Sequence, residues 1–289
     1  MPSPLPAGGD AIDTPGIRTL ALVGPQSAGK TSLAEALLAQ AGAIGAAGSL
    51  ERGTTVSDWD PLERKMAHSL QAALMHLTHA GTRIHLIDTP GAADFIGQSL
   101  PALEAVETAA VVINAATWKV SGIDAMAVRM MNYAAERHLD RLIVVNKIDA
   151  AGADLADLLE DIQATFGKEC LPINLPAGGG KRVVDCFFNP EGESDFSSVG
   201  EAHRALVDQV VEVDEDLMAL YLEQGEDLAP DQLHAPFEKA LREGHLVPVC
   251  FTSAKTGAGI PQFLEILSRL APNATEGNPP PFVKSDTTE

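Results

Sequence analysis

A short glycine-containing stretch near the start of the chain has the residue types and spacing of a phosphate-binding loop. It matches G-x-x-x-x-G-K-[ST] and consists of Gly24, Pro25, Gln26, Ser27, Ala28, Gly29, Lys30 and Thr31, with Ser32 following. The glycines allow backbone N–H groups to turn inward around phosphate oxygens, Lys30 can reach the β- and γ-phosphates, and Thr31 can ligate Mg²⁺. The pattern predicts a nucleotide site in which Lys30 is also catalytic; the alternative is a plain strand–helix turn.

The residues Asp88-Thr89-Pro90-Gly91 follow an apolar run and are suited to hold a metal ion and a terminal phosphate. A carboxylate at the end of a strand, here Asp88, can hold Mg²⁺ through water. The N–H of Gly91 can donate to the γ-phosphate, which gives this glycine a catalytic role in the prediction. The same four residue types also form ordinary turns, so the stretch is weak taken alone.

Two further stretches, Asn146-Lys147-Ile148-Asp149 and Ser253-Ala254-Lys255, have the groups needed to bind a guanine base. Asp149 can accept hydrogen bonds from guanine N1–H and the 2-amino group together, which adenine cannot match. Lys147 can lie along the base plane, and the Ala254 N–H can meet guanine O6. All four stretches in this order predict a guanine nucleotide site. An adenine site would require Asp149 to lie away from the base.

These stretches need strands and helices to bring them together, and the apolar pattern supplies both. Strands are predicted at 18–23, 84–87, 109–113, 142–145 and 247–251. Helices are predicted at 30–41, 99–107, 123–138, 153–166, 201–223 and 231–243. The alternation indicates an α/β fold of the P-loop NTPase type, a mostly parallel sheet with helices on both faces and ligands at the carboxyl ends of the strands. Residues 65–79 fit both a helix and an alternating strand.

The interval between Asn146 and Ser253 is far longer than one helix and one strand require, so roughly 70 residues are inserted there. Residues 185–244 hold sixteen Asp or Glu against three Lys or Arg, which is −13 of the chain's net charge of −20. The predicted division has five parts. They are a flexible leader (1–16), a nucleotide-binding domain in two segments (17–168 and 246–271), a small acidic α+β insert (169–245) and a proline-rich linker (272–289).

The composition excludes several classes of protein. With 289 residues, 45% hydrophobic and 21% charged, the chain can bury a full core and is not globally disordered. A net charge of −20 disfavours a protein that coats duplex DNA or a lipid surface, since phosphate binding depends on Lys and Arg. Aromatic residues, at 4%, are too few for a base-stacking platform. We therefore expect neither DNA nor a membrane as a partner.

The cysteines and the absence of long apolar runs predict a cytoplasmic protein. Cys170, Cys186 and Cys250 are odd in number and far apart, so they form neither a disulfide framework nor a zinc site. No apolar run reaches the roughly 18 residues of a membrane-spanning helix, and no secretory signal is visible. We expect a monomer.

At these motifs the chain resembles the GTP-binding domain of the translation elongation factor G family, from Arg18 to Pro272. Residues 91–95, G-A-A-D-F, stand where that family has its switch II, G-H-V-D-F, and N-K-I-D is similar to its N-K-M-D. The acidic block resembles the family's G′ subdomain, including residues 183–185 and 214–218. The resemblance implies GTP and GDP as ligands, Mg²⁺ as cofactor, and the ribosome as partner through its large-subunit stalk and factor-binding site.

The resemblance also locates switch I. Residues 53–59, G-T-T-V-S-D-W, look like the start of switch I in elongation factor G-like paralogues. Counting onward places Ser69 at the position of the family's Mg²⁺-binding threonine, so the implied metal residues are Thr31, Ser69 and Asp88. Residues 70–77 then become an edge strand by analogy. The alternative is that Ser69 is an exposed serine on a helix.

Three departures from the family bear on catalysis. Ala92 stands where the family has the histidine that positions the attacking water, a loss that typically costs about 10²–10⁴ in rate. Ser27 replaces a common aspartate, and residues 66–70 read M-A-H-S-L in place of R-G-I-T-I. His68 or Gln98 could orient the water instead, but the sequence places neither there.

Two functions follow from the resemblance. The first is a Mg²⁺-dependent GTPase domain that hydrolyses GTP slowly; the second is a GTP- or GDP-binding switch module that occupies a ribosomal site without turnover. The chain ends where elongation factor G continues into further domains, and a fragment or a free-standing domain both fit. The acidic insert is either a solvated face or a docking surface for the basic stalk protein. Its candidate contacts are Glu201, Asp208, Glu212 and Glu215.

Overall fold

The computed structural model describes residues 12–224 and 230–278. In chain order its strands are β1 Ile17–Val23, β2 Ala73–His79, β3 Thr82–Asp88, β4 Thr108–Asn114, β5 Asp140–Asn146, β6 Cys170–Pro172, β7 Asn174–Ala177, β8 Arg182–Asp185 and β9 Val247–Phe251. Its α-helices are α1 Lys30–Gln40, α2 Pro61–Met66, α3 Ile96–Leu103, α4 Trp118–Ser121, α5 Ala125–Glu136, α6 Leu155–Phe166, α7 Val199–Val211, α8 Glu215–Gln224, α9 Pro230–Arg242 and α10 Ile260–Arg269.

Seven strands form one sheet in the order β2-β3-β1-β4-β5-β9-β6. All neighbours pair in parallel except β2, which runs antiparallel to β3 at one edge. Side chains alternate between two hydrophobic cores, one on each face of the sheet. On β1, Leu20 and Leu22 belong to one core, while Ala21 and Val23 belong to the other. The predicted mostly parallel sheet with both faces covered is confirmed.

Most predicted elements shift by only a few residues, and local capping explains where α5 and α6 begin. The Asp124 side chain accepts a hydrogen bond from Met126 N, so α5 begins after it rather than at residue 123. Asp154 caps α6 in the same way through Asp157 N. The predicted helix 99–107 instead runs over 96–103 and contains Pro101.

The single helix predicted for 201–223 is wrong, because two helices, α7 and α8, occupy this range. The first ends at Val211 and the second begins at Glu215. Between them, the Asp214 side chain accepts a hydrogen bond from Leu217 N. This contact caps the start of α8, so the short turn at 212–214 separates two helical segments that each have suitable residues.

The ambiguous stretch 65–79 is divided between two elements. Helix α2 begins after Asp60 with a capping box to Glu63 and ends at Met66, and the next residue, Ala67, has a left-handed φ of 53°. The chain then enters β2, and Leu77 is its one fully buried residue. The edge strand predicted for 70–77 does lie at the edge of the sheet, but it covers 73–79.

The acidic insert consists of the two-stranded antiparallel sheet β7–β8 with α7, α8 and α9. The side chain of Asp195 accepts from Gly179 N and Gly180 N and so fixes the turn between the two strands. Strand β6 pairs with β9 and belongs to the main sheet, so the large sheet extends past residue 168. The predicted leader, up to residue 11, and the carboxyl-terminal part of the predicted linker lie outside the described residues. Among the described helices, none is long and apolar enough to cross a membrane.

Candidate nucleotide-binding site

The predicted phosphate-binding loop connects β1 to the start of α1, as its sequence requires. Gly24 and Gly29 have φ values of 130° and 92°, and Ser27 also has a positive φ of 65°. A Cβ atom at Gly24 would lie 2.6 Å from the carbonyl oxygen of Val112, so only glycine fits there. The loop therefore takes the curved conformation in which backbone N–H groups can surround an anion.

Lys30 is buried at the centre of this loop. Its Nζ donates hydrogen bonds of 2.9 Å to the carbonyl oxygens of Gly24 and Pro25. Burial lowers the pKa of Lys30 to about 8, against the opposing attraction of the Asp88 carboxylate. Gly91 lies beside it, since a Cβ there would clash with Lys30 Nζ and would be 2.5 Å from the backbone nitrogen of Gln26. The predicted phosphate ligands Lys30 and Gly91 are thus neighbours.

The three predicted metal residues form one connected set of oxygen atoms. The Thr31 hydroxyl donates to Asp88 Oδ2 at 2.6 Å and lies 3.2 Å from the hydroxyl of Ser69. The Ser69 hydroxyl in turn donates to Asp58 Oδ1 at 2.7 Å. Asp58 is only 2% exposed and is not among the predicted site residues. It precedes Ser69 by eleven positions. In the sequence, Asp58 marks the start of switch I but gives no sign that it lies beside the metal residues.

This oxygen set fits a magnesium ion. Burial raises the pKa of Asp88 to about 6, even though the hydrogen bond from Thr31 opposes that rise. Asp88 Oδ1 and Ser57 Oγ are both buried without a hydrogen-bond partner, and buried polar atoms normally have one. Hydroxyl and carboxylate oxygens are the ligands that Mg²⁺ prefers, and Mg²⁺ commonly takes its remaining ligands from water and phosphate. The described residues contain no cluster of three metal-binding acidic, His or Cys side chains, so water and phosphate oxygens would have to complete the coordination.

Two buried glutamates hold the segment that carries Asp58 and Ser69. Glu35 on α1 accepts from the backbone nitrogens of Gly48 at 2.7 Å and Val56 at 2.6 Å. Glu63 accepts from the backbone nitrogens of Leu70 and Gln71. The backbone on both sides of the metal residues is therefore fixed by hydrogen bonds to buried side chains.

The predicted base-binding stretches meet at Asn146. Its side-chain amide donates to Ala28 O at 3.0 Å, and its oxygen accepts from Lys147 N at 2.9 Å and Ala254 N at 3.1 Å. Lys147 Nζ reaches Ser27 O at 2.7 Å. The hydroxyl of Ser253 donates to Asp149 Oδ1 at 2.6 Å, which orients the carboxylate.

A cavity of about 240 Å³ lies between the phosphate-binding loop and switch I. Its lining residues are Gln26, Ser27, Gly29, Lys30, Thr31, Ser32, Leu50, Ala67, His68, Ser69, Thr89, Gly91, Ala92 and Lys147. The predicted site residues that do not line it are Gly24, Pro25, Ala28, Asp88, Asn146, Asp149, Ser253, Ala254 and the exposed Lys255. Asp88 is hydrogen-bonded to the lining residue Thr31, and Asn146 donates to Gly29 O at 3.4 Å. Ala254 is hydrogen-bonded to Asn146, and Ser253 to Asp149. Lys30 and Gly91 of the predicted phosphate residues, Thr31 and Ser69 of the predicted metal residues, and Lys147 of the predicted base residues therefore line one cavity.

This arrangement agrees with the comparison of the chain with known families. The family described as "Elongation factor Tu GTP binding domain" matches residues 15–273. The chain belongs to this family. The resemblance to GTP-binding domains of translation factors that the motifs indicated is confirmed.

Several translation factors of this family match most of the chain. An elongation factor G-like protein of Mycobacterium tuberculosis (strain H37Rv) is 34% identical over 278 residues, which cover 90% of this chain and 38% of that protein. Peptide chain release factor 3 of Streptococcus agalactiae is 31% identical over 279 residues, 90% of this chain and 52% of that protein. A crystal structure of a protein from Thermus thermophilus has a TM-score of 0.79 and 35% identity, covering 90% of this chain and 41% of that one. The chain thus spans roughly two fifths to one half of these relatives.

Proposed function

We propose that the chain binds GTP and GDP with Mg²⁺ and that it hydrolyses GTP slowly. The observation that carries the proposal is the cavity in which Lys30, Thr31, Ser69 and Gly91 converge. The Lys30 ammonium would bind a triphosphate placed there. The negative charge of the phosphate would offset the cost of removing this ammonium from water. The Thr31 and Ser69 hydroxyls and the Asp88 and Asp58 carboxylates would hold Mg²⁺, which neutralises charge on the phosphates when bound.

The chain's own residues position the nucleotide. Asp149, oriented by Ser253, accepts from the guanine ring, and Lys147 lies beside Ser27 of the phosphate-binding loop. The Gly91 N–H donates to the terminal phosphate. Catalysis then consists of positioning and charge stabilisation rather than covalent chemistry, as is general for phosphoryl transfer.

Slow hydrolysis follows from Ala92. This residue lines the cavity, and its methyl group can neither donate nor accept a hydrogen bond. The absence of a water-orienting group there lowers the expected rate by about 10²–10⁴. The same observation favours the second candidate function, a switch module that binds GTP or GDP and occupies a ribosomal site without turnover.

The ribosome as partner is part of the proposal. Its support is the family, together with relatives named as an elongation factor G-like protein and a peptide chain release factor. We propose further that the protein is cytoplasmic and monomeric and that it meets the large-subunit stalk and the factor-binding site of the ribosome.

The deciding experiment is a titration of the 289-residue chain with GTP, GDP and ATP, with and without Mg²⁺. We expect GTP and GDP to bind more tightly than ATP, and Mg²⁺ to strengthen GTP binding. Equal affinity for all three nucleotides, or none, would overturn the proposal. Multiple-turnover GTP hydrolysis with and without ribosomes then separates the slow GTPase from the switch module.

A further inference from the structure

His68 lies on the wall of the nucleotide cavity that faces the loop carrying Gly91 and Ala92. It lines the same cavity as these two residues. Its backbone is anchored on both sides, because His68 N donates to Glu63 O at 3.3 Å and the hydroxyl of the next residue, Ser69, lies 3.2 Å from that of Thr31. The imidazole is therefore attached at a fixed point beside the metal residues.

The ring of His68 is oriented by two contacts. Its Nδ1 lies 3.4 Å from the carbonyl oxygen of Ser69. Its centroid is 6.4 Å from that of Phe95, with the ring planes tilted by 40°, and Phe95 follows Ala92 by three positions. When Nδ1 carries the proton and donates to Ser69 O, Nε2 is an acceptor without a proton. Such a nitrogen can accept a hydrogen bond from a water molecule in the cavity.

Other polar side chains near Ala92 are less suitable. The Thr89 hydroxyl donates to Leu22 O, and the Ser69 hydroxyl is engaged with Asp58 and Thr31. Gln98 is exposed on α3 and does not line the cavity. Gln26 does line it, from the phosphate-binding loop, and is the rival that an experiment must separate.

We propose that His68 is the water-orienting residue of this site and, from switch I, supports the slow hydrolysis that remains with Ala92 in the switch II loop. The inference rests on the proposed function. Nε2 of His68 accepts a hydrogen bond from the attacking water, whose oxygen forms a new bond to the γ-phosphorus. The bond from that phosphorus to the bridging oxygen breaks, and GDP leaves with the electron pair. The water protons end on the released phosphate and in solvent, so His68 is unchanged overall.

The test compares Mg²⁺-GTP affinity and single-turnover hydrolysis, with and without ribosomes, in five variants of the 289-residue chain. They are His68→Ala, His68→Gln, the double variant His68→Ala with Ala92→His, Gln26→Ala, and the control His76→Ala on the exposed side of β2. We expect His68→Ala to lower the hydrolysis rate at least tenfold while GTP affinity stays within twofold. The glutamine variant, whose amide can still accept a hydrogen bond, should retain part of the rate. The double variant should recover it, and His76→Ala should not differ from the unmodified chain.

Several results would overturn the inference. One is a His68→Ala variant that hydrolyses GTP at the unmodified rate; another is a loss confined to Gln26→Ala. An unmodified chain that binds GTP without any hydrolysis would also overturn it, while leaving nucleotide binding intact. A chain that binds no GTP would instead contradict the proposed function itself.

Discussion

The side-chain amide of Asn146 donates a hydrogen bond of 3.0 Å to the backbone carbonyl of Ala28, a residue 118 positions earlier in the chain. The oxygen of the same amide accepts from Lys147 N and Ala254 N. One buried side chain thus joins the phosphate-binding loop to both stretches predicted to bind guanine. The fit is tight on the loop side, since a Cβ at Gly29 would lie 2.5 Å from Asn146 Nδ2.

Replacing Asn146 with alanine should loosen the whole site. The change leaves buried backbone groups without their partner, and one unsatisfied buried group costs about 1–3 kcal/mol. We expect the free energy of unfolding in urea to fall by about that amount and GDP affinity to fall at least tenfold. Asn132→Ala, at an exposed position on α5, is the matched control. Unchanged GDP affinity in Asn146→Ala would show that the amide does not position the nucleotide.

Lys30→Met should abolish Mg²⁺-GTP binding without weakening the fold. Burial lowers the pKa of Lys30 to about 8 in the folded chain, below the roughly 10.4 of an unfolded lysine. Between these values the unfolded state binds more protons, so this lysine makes stability rise with pH from about 8 to about 10.4. Below pH 8 the full cost of burying the charge is present.

The variant removes that cost, so its free energy of unfolding at pH 7 should equal or exceed that of the unmodified chain. The increase in the free energy of unfolding above pH 8, which Lys30 causes, should also be absent in the variant. Urea unfolding at pH 7 and pH 10, beside a GTP titration, measures both effects, with the exposed Lys168→Met as control. Retained GTP affinity would show that the phosphate-loop prediction is wrong.

The central strands of the main sheet were predictable from sequence because they are buried on both faces, whereas the edge strand β2 has one fully buried residue. All seven residues of β4 are buried, and such strands read as continuous apolar runs. The motifs at their carboxyl ends then follow in chain order, since parallel strands place those ends at one edge of the sheet. The sequence alone therefore predicts that Lys30, Thr31, Asp88 and Asn146 lie together.

Switch I could not be predicted in the same way, because long-range contacts determine its shape. Glu35 and Glu63 fix the backbone around Asp58 and Ser69, and neither contact leaves a periodic pattern in the sequence. The break between α7 and α8 escapes prediction for a related reason. Helix propensity is favourable on both sides of Asp214, and only its side-chain cap on Leu217 N marks the boundary.

Asp149→Asn should change the base specificity of the site from guanine to xanthine. The Ser253 hydroxyl donates to Asp149 Oδ1 at 2.6 Å, which restricts the rotation of the carboxylate that we propose accepts from the base. Guanine offers hydrogen-bond donors there, whereas xanthine offers a carbonyl that needs a donor, and the new amide can provide one. We expect weaker GTP and stronger XTP binding in nucleotide titrations. Similar affinity of the unmodified chain for ATP and GTP would contradict the role of Asp149.

Asp140 lies at the opposite end of the sheet from the cavity. It should lower the free energy of unfolding once its carboxyl group ionises, near pH 7 and above. It pairs across β4–β5 with Thr108, and both its carboxylate oxygens are buried without a hydrogen-bond partner. Burial raises the pKa of Asp140 to about 7, although Arg242 attracts the charged form. Between about pH 4 and 7 the folded state binds more protons than the unfolded state, so this residue makes stability fall as pH rises.

Asp140→Asn removes that fall, because the amide does not ionise. At pH 8 we expect the variant to gain about 1–3 kcal/mol in the free energy of unfolding. At pH 4 the two proteins should be nearly equal. Thermal or urea unfolding across this pH range checks the expectation, with the exposed Asp13→Asn as control. If the free energy of unfolding of the variant depends on pH as steeply as that of the unmodified chain, neighbouring cations already compensate the charge of Asp140.

The acidic insert offers a last test, which concerns its proposed basic partner on the ribosome. The candidate contacts on α7, Glu201, Asp208 and the adjoining Glu212, are all exposed. Asp208 also accepts a hydrogen bond from the Tyr221 hydroxyl at 2.7 Å, so its replacement would disturb the contact between α7 and α8 as well as the charge. The double variant Glu201→Lys with Glu212→Lys changes the charge while leaving that hydrogen bond in place.

A docking surface of this kind would steer association, and exposed charges are screened within about 8–10 Å at physiological ionic strength. We therefore expect the double variant to associate with ribosomes several-fold more slowly at low salt and to differ less at high salt, with GTP affinity within twofold of the unmodified chain. Glu136→Lys with Glu160→Lys, on α5 and α6, makes the same change of charge at exposed positions outside the insert. If both double variants slow association equally, only the net charge matters. If neither does so at low salt, where the effect should be largest, the acidic face of the insert serves solvation alone.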